Sequence, residues 1–240
     1  MELIYIASLK SIHTTRWINY FSDTKEFNIS CISLNRAVSY VNKDIKVYRL
    51  GGSNLFTNII KTLRLLRSNK KSLIHVHYLG WNSLVLFFAN KYKRIILTPW
   101  GCDLYENKNN ILKKLWLKYI FAKCNYIICD SSKLIEAAVD LGANINNTKI
   151  IAFGTNTKEY KSNKDSFSNQ NNQEIFTIGT NRSMEAIYDP ITFLKAAKYL
   201  NQKNKNLRFI IANDGPLKYQ LEDYIKQNKL ESIIQLIGRK

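Results

Sequence analysis

Residues 94–105 read RIILTPWGCDLY, and the interpretation of the whole chain starts from this stretch. Its apolar run IIL is typical of a strand buried in a parallel sheet, and the PWG that follows ends the strand. Asp103 therefore comes just past a strand end, where open α/β sheets bind their ligands. The aromatic residues Trp100 and Tyr105 flank it and suit the face of a sugar or a base. An ordinary turn in which Asp103 caps the following helix is an equally good interpretation of these residues.

Outward from this stretch, strand-like and helix-like segments alternate along the chain. Short apolar runs typical of strands lie at 3–7, 27–33, 45–50, 73–77, 95–97, 126–129, 149–153, 174–179, 207–212 and 233–237. Helical patterns lie between them, at 15–22, 54–67, 81–91, 110–123, 132–141, 190–200 and 216–227. This alternation predicts the α/β class, with parallel sheets covered by helices on both faces.

A polar segment at 157–173 divides the chain, and its scarcity of large apolar residues indicates a linker. The pattern before it predicts a Rossmann-like domain over residues 1–156. The pattern after it, over residues 174–240, predicts three strands and two helices, which is half of a usual doubly wound domain.

The net charge of +18 calls for a partner or ligand with negative charge. Nucleic acid, anionic lipid and a phosphorylated ligand all meet this requirement, and a codon bias toward Lys, Asn and Ile is a plainer source of part of the charge. No recognised nucleic-acid-binding motif is present, so we expect no nucleic acid partner. The cysteines lack the spacing of a metal site and are expected to be free thiols: Cys31, Cys102, Cys124 and Cys129.

Membrane insertion and export are not predicted. The chain contains no apolar run of about 18 residues, the length that a membrane span requires. Its first residues, MELIYIASLK, lack the basic start and the cleavage site of a signal peptide. We therefore expect the protein in the cytoplasm.

Histidines near strand ends are candidate site residues of the first domain. His77 and Asp103 end successive strands, and because adjacent parallel strands are about 4.8 Å apart, we expect the two side chains to converge on one ligand. We expect His75 to point to the opposite face and to pack one layer earlier. For His77, a satisfied place in the core is the alternative. His13 and Arg16 follow the first strand, where their side chains could bind phosphate in place of a glycine-rich turn.

Arg182 is the main candidate of the second domain, because it comes just after the first strand there. Its planar guanidinium can bind two oxygens of a diphosphate at once. Gly215 lies in the turn NDGP after the next strand and permits close approach of the backbone. The alternative for Arg182 is a solvated surface position.

These segments together resemble the retaining nucleotide-sugar glycosyltransferases of family 4, which have the GT-B fold of two facing Rossmann-like domains. In the second domain, Arg182 and the segments YDPITFLKAAKYL, LRFIIANDGP and IIQLIG follow that family's donor domain in order. In the first domain, HVHYLGWNS, LTPWGCDLY and KIIAFGTNTKEY match its strand-end signatures. The resemblance covers nearly the whole chain.

The chain also departs from the family pattern. The family's second basic residue is replaced near Tyr188, and Trp100 stands where its HG-x-D loop has histidine. Of its P-x-G-x-D segment, the chain keeps Gly154 and a polar residue in place of the acid. The family's Glu-x7-Glu motif should lie beyond residue 240. The resemblance thus implies part of such an enzyme, which we expect not to transfer sugar by itself.

The resemblance implies transfer of a sugar, with retention of configuration, from a nucleotide-diphosphate donor to an envelope polysaccharide or a lipid-linked acceptor. It implies no metal and no other cofactor, because side chains and helix N-termini neutralise the leaving diphosphate. A non-catalytic binding protein of the same fold and a nucleotide-sugar epimerase are the alternatives.

The resemblance also assigns roles to the candidate residues. His77 and Asp103 are the catalytic candidates, neither of them as a nucleophile, because retaining transfer from the front face needs none. The remaining candidates are Asn181, Arg182 and Gly215 for donor binding, and His13, Trp100, Gly101 and Gly154 for the acceptor side of the cleft.

Two helical segments predict contact with the inner face of the membrane. The helix at 54–67 and the segment ILKKLWLKYIFAK at 111–123 place Lys or Arg beside Leu, Trp and Phe. This pairing suits an anionic lipid surface. The alternative is that the apolar residues belong to the core and the lysines are solvated.

Overall fold

The computed structural model describes residues 1–33, 40–50, 54–68, 71–80, 83, 86, 94–105, 110–154, 157 and 175–238. The chain divides into two compact units, Met1–Asn156 and Thr157–Lys240. The helix predicted at 81–91 and the linker predicted at 157–173 fall almost entirely outside the described residues.

The first unit is built on a seven-stranded sheet. Its strands are β1 Glu2–Ile6, β2 Asn28–Ser33, β3 Lys46–Arg49, β4 Leu73–His77, β5 Arg94–Thr98, β6 Tyr126–Cys129 and β7 Thr148–Ile150. Their order is β3-β2-β1-β4-β5-β6-β7, and every neighbouring pair is parallel. The predicted α/β class with a parallel sheet is therefore confirmed.

The strand β1 shows why this sheet needs cover on both faces. Leu3 and Tyr5 point into one apolar cluster, and Ile4 and Ile6 point into another on the opposite face. All four side chains are buried, as expected for the middle of a parallel sheet. The cluster around Ile4 and Ile6 is the larger core of the unit, and α1 (Ile12–Asp23) packs through Ile18 on the other side.

The other α-helices described in the first unit are α2 Leu55–Ser68, α3 Cys102–Tyr105, α4 Ile111–Lys123 and α5 Ser132–Asp140. Asn110 caps α4, because its side-chain oxygen accepts a hydrogen bond of 3.0 Å from the Lys113 backbone N–H. In the part of the chain that the structure describes, no helix has the length and the hydropathy that crossing a membrane requires.

The second unit holds a three-stranded parallel sheet in the order β10-β9-β8. Its elements are β8 Phe176–Thr180, α6 Pro190–Lys203, β9 Leu207–Ala212, α7 Lys218–Gln227 and β10 Ile234–Gly238. Asp189 starts α6: its carboxylate accepts a hydrogen bond of 2.7 Å from the Thr192 hydroxyl, and Pro190 occupies the first turn, where a missing N–H costs nothing. The second core surrounds Phe209, Ile211 and Leu221.

Candidate active site

The carboxyl ends of β1, β4 and β5 lie side by side in the first unit. In the register of the sheet, Ile6 pairs with Val76, and His77 pairs with Thr98. The residues that follow these strands therefore meet at one edge of the sheet, which is where this class of fold places its ligands.

His75 and His77 point to the same face of the sheet, and their ring centroids are 4.5 Å apart. The prediction of opposite faces was wrong, because side chains two residues apart in a strand share a face. Both rings are buried: His75 Nε2 lies 2.8 Å from Thr98 Oγ1, and His77 Nδ1 lies 3.4 Å from Thr14 Oγ1. Burial lowers the pKa of His77 to about 3 and that of His75 well below its usual value, so both are neutral near pH 7.

The two histidines belong to a larger group of rings, which we call the aromatic cluster: Tyr5, His13, Trp17, His75, His77, Trp100 and Phe153. Trp100 is central to its outer part, with ring centroids 5.3 Å from His13, 5.3 Å from Phe153 and 6.0 Å from His77. His77 Nε2 and Trp100 Nε1 are buried and have no hydrogen-bond partner among the described residues. Buried polar atoms without a partner are rare in folded proteins, and Tyr5 and Trp17 of the same cluster contribute two more.

Asp103 is 2% exposed, and both of its carboxylate oxygens accept hydrogen bonds from the backbone. Oδ2 accepts from the Leu79 N–H at 2.8 Å, and Oδ1 accepts from the N–H groups of Trp100 and Gly101 at 2.9 Å each. The carboxylate thereby joins the turn after β4 to the turn after β5. Burial raises the pKa of Asp103, and these N–H groups partly oppose that shift.

The two glycines assigned to the acceptor side have different surroundings. Gly101 has a φ of 108°, a backbone conformation that side chains rarely adopt, and it lies directly before α3. Gly154 follows Phe153 beyond β7, and a Cβ atom there would meet no other atom within 4 Å. His13 is an exposed residue of α1 and reaches the same region through its contacts with Trp100 and Phe153.

The candidate donor residues of the second unit occupy two turns that are hydrogen-bonded to each other. The backbone carbonyl oxygen of Asn181 accepts a hydrogen bond of 3.1 Å from the side-chain amide of Asn213. The Met184 N–H donates to the Asp214 carbonyl oxygen at 3.1 Å. Gly215 lies so close that a Cβ atom there would come within 2.7 Å of the Met184 carbonyl oxygen, so only glycine fits without a shift of the backbone.

Arg182 lies on the exposed side of these turns, just after β8. Its guanidinium carbon is 5.3 Å from the centroid of the Tyr188 ring. In the described part of the chain, no carboxylate forms an ion pair with Arg182. The group thus remains available for an anion.

Sequence reasoning did not select Phe153 or the Thr14 hydroxyl as parts of the site. Phe153 ends a predicted strand, as His77 does, and this position was the available signal. Thr14 lies at the start of α1, and its hydroxyl oxygen is 3.4 Å from His77 Nδ1. Metal ligands were not predicted, and among the described residues no three His, Cys, Asp or Glu side chains are grouped so as to hold a metal ion.

Comparison with known proteins identifies the family to which the first unit is similar. Residues 2–131, more than half of the chain, match the protein family described as "Glycosyl transferase 4-like". No curated protein matches the chain significantly.

Solved structures share the fold. HepE from Anabaena, crystallised with UDP and glucose, has a TM-score of 0.72 and 13% sequence identity, and the match covers 100% of this chain and 70% of the HepE chain. The apo form of WaaB, a lipopolysaccharide outer core galactosyltransferase, has a TM-score of 0.65 and 12% sequence identity, and the match covers 100% of this chain and 68% of the WaaB chain. A putative UDP-N-acetylglucosamine 2-epimerase from Listeria monocytogenes has a TM-score of 0.62 and 9% sequence identity, and the match covers 99% of this chain and 68% of the epimerase chain. These likenesses show a GT-B-like fold.

Proposed function

The chain belongs to the glycosyl transferase 4-like family, and we propose that it transfers a sugar from a nucleotide-diphosphate donor to an envelope polysaccharide or a lipid-linked acceptor, with retention of configuration. The family match over residues 2–131 is the observation that carries this proposal. That HepE was crystallised with UDP and glucose supports a donor of this chemical class.

We assign the donor diphosphate to Arg182, with Asn181 and Gly215 shaping the turns beside it. The guanidinium has no carboxylate partner among the described residues, and the planar fork of its N–H groups matches two phosphate oxygens. We expect no metal in the reaction, because charge-assisted hydrogen bonds and helix N-termini can stabilise the leaving diphosphate.

We assign the acceptor saccharide to the outer part of the aromatic cluster, beside His13, Trp100, Gly101 and Gly154. Aromatic faces bind the apolar faces of sugars, and the unpartnered ring nitrogens of His77 and Trp100 suit sugar hydroxyls. In this proposal His77 contacts the reacting sugars. Asp103 holds the two turns that carry the site through its three backbone partners, and neither residue acts as a nucleophile.

We further propose that the protein works at the inner face of the membrane through α4. This helix exposes apolar side chains that belong to no described core: Ile111, Leu112, Leu115 and Tyr119 are 77%, 78%, 60% and 42% exposed. Lysines border the same face, at positions 114, 118 and 123. Apolar side chains bordered by lysines suit an anionic lipid surface. A lipid-linked acceptor would lie at that same surface.

Nucleotide binding to the 240-residue chain tests the donor assignment. We expect UDP, GDP or ADP to bind in calorimetry and Arg182→Ala to weaken that binding about tenfold or more, because a hydrogen bond to a charged group contributes about 1.5–3 kcal/mol. Arg208→Ala is the matched control, since Arg208 is an exposed arginine of β9 in the same unit. Unchanged affinity in a folded Arg182→Ala protein would refute the assignment.

Turnover separates the proposed reaction from its alternatives. A transferase releases nucleoside diphosphate only when an acceptor is present, whereas an epimerase changes the sugar and releases none. The likeness to a putative epimerase makes this comparison necessary. Binding without any turnover would fit a non-catalytic protein of this fold and also the expectation that this chain does not transfer sugar by itself. The anomeric configuration of a product, read by NMR, tests retention.

A further inference from the structure

The only described partner of the Arg182 guanidinium is an aromatic ring, and this contact suggests a role for Tyr188. The guanidinium carbon lies 5.3 Å from the ring centroid, within the distance at which a cation is attracted to an aromatic face. We propose that Tyr188 is a positioning residue that holds Arg182 ready for the donor diphosphate. This inference rests on the function proposed above and adds a residue to its donor site.

The carboxylates near Arg182 are each engaged elsewhere. Glu185 Oε1 lies 2.8 Å from the Ser183 hydroxyl, and Asp189 caps α6 through Thr192. Asp214 Oδ1 accepts a hydrogen bond of 2.9 Å from the Gly215 N–H and lies 4.0 Å from Lys218 Nζ. None of these three carboxylates forms an ion pair with Arg182 in the part of the chain that the structure describes.

An aromatic partner and a carboxylate partner would prepare the arginine differently. A carboxylate would occupy the N–H groups of the guanidinium and compete directly with phosphate oxygens. An aromatic ring attracts the cation without forming the paired hydrogen bonds that a carboxylate forms with it. In our proposal this attraction to Tyr188 restricts the rotamers of Arg182 before the diphosphate arrives, and it leaves the N–H donors of the guanidinium for the phosphate oxygens.

The backbone of Tyr188 lies between a short turn and the start of a helix. Tyr188 ends a short 3-10 turn, Ala186–Tyr188, and its N–H donates to the Glu185 carbonyl oxygen at 3.0 Å. The next residue, Asp189, is the cap of α6 and has a φ of 42°. The Tyr188 ring thus extends from a backbone segment that the turn and the helix start hold in place.

The experiment compares three variants of the 240-residue chain in calorimetry with UDP, GDP and ADP, and with uridine, which has no phosphate. Tyr188→Leu removes the ring and should weaken diphosphate binding about two- to fivefold, since an exposed cation–π contact is worth this factor. Tyr188→Phe keeps the ring and should restore most of the affinity. Tyr199→Leu removes another exposed tyrosine, one that lies 4.6 Å from Lys203 Nζ on α6, and should change nothing.

A double-mutant comparison tests whether Tyr188 acts through the arginine. In the Arg182→Ala background, Tyr188→Leu should have no further effect, and uridine binding should not respond to either change. The inference is overturned if Tyr188→Leu binds diphosphates as well as the wild type while Arg182→Ala does not, or if its effect persists in the Arg182→Ala background. If the wild-type chain binds none of the three diphosphates, the proposed donor site itself fails, and the role of Tyr188 fails with it.

Discussion

At the scale of single residues, the buried histidines of β4 couple the protein's stability to pH. Both are neutral in the folded chain, with the pKa of His77 lowered to about 3, while in the unfolded chain a histidine binds a proton below about pH 6.5. Between these values the unfolded state holds more protons. The free energy of unfolding should therefore fall as the pH falls, by up to about 1.4 kcal/mol per pH unit for each histidine.

Urea denaturation at pH 7.5, 6 and 5 measures this effect. His77→Gln should flatten the pH dependence, because it removes one of the two groups. Parallel curves for the wild type and His77→Gln would contradict the expectation.

Asp103 offers a second test at the same scale. Its two oxygens accept hydrogen bonds from three backbone N–H groups, whereas an asparagine has only one side-chain oxygen. Asp103→Asn would turn an amide N–H₂ toward a buried backbone donor, and we expect a loss of about 1–3 kcal/mol in the free energy of unfolding. Chemical denaturation measures the loss, with Glu136→Gln, the same chemical change on the exposed side of α5, as control. Equal stability of the two variants would show that the turns do not depend on this carboxylate.

At the scale of elements, the two helices with predicted lipid contact differ in what they expose. On α2 the side chains of Asn58, Thr62 and Leu66 are buried, and the described exposed face is basic around a single aromatic residue, Phe56. Leu66, with Leu63 and Leu65 packed beside it, thus belongs to the core. On α4 the inner face is buried through Leu117, Ile120 and Phe121, and yet the outer face is also apolar.

This difference makes α4 the element to test. Leu112→Ser combined with Leu115→Ser should reduce sedimentation with anionic vesicles, because in this proposal the leucine side chains enter the lipid interface. Each nearby lysine adds about 1 kcal/mol to the binding free energy. Added salt should weaken the binding of the wild type as well, through screening of the lysines. Ile145→Ser, at an exposed apolar residue elsewhere in the first unit, is the control. Equal binding of the wild type to neutral and anionic vesicles would contradict the proposal.

At the scale of the whole molecule, the two units differ in the size of their cores. The described buried clusters of the first unit contain twenty-one and seven residues, and that of the second unit contains nine. In the second unit β8 has one described neighbour, β9, and exposes Phe176 at 66%. We expect amides of β8 to β10 to exchange hydrogen before those of β1, β4 and β5, because local opening is easier where less apolar surface is buried.

Hydrogen exchange followed by mass spectrometry resolves the two units in one experiment. The core strands of the first unit should retain protected amides after the strands of the second have exchanged. The same order should hold in low concentrations of urea. Exchange of both units at one common rate would instead show that they open together.

Much of the fold could be predicted from the sequence, because the two periodicities that specify it are local. Apolar runs of strand length alternate with helical patterns, and the structure places strands and helices at those segments within a few residues, except at 81–91, which is not described. The position of Arg182 past β8 could be predicted in the same way. A residue that follows the last residue of a strand in a parallel sheet lies at the edge where the carboxyl ends of the strands meet.

What only the tertiary structure decided is which side chains meet and which remain exposed. His77, Trp100 and Phe153 lie far apart in sequence, and their contacts depend on the sheet order β1-β4-β5-β6-β7, which no local pattern contains. The hydrogen bond that Asp103 accepts from the Leu79 N–H depends on the same order. From the sequence, the apolar residues of α4 could either face lipid or belong to the core, because a pattern gives the faces of a helix but not which face another element covers. That choice belongs to long-range packing, and so does the group of residues that we propose as the site.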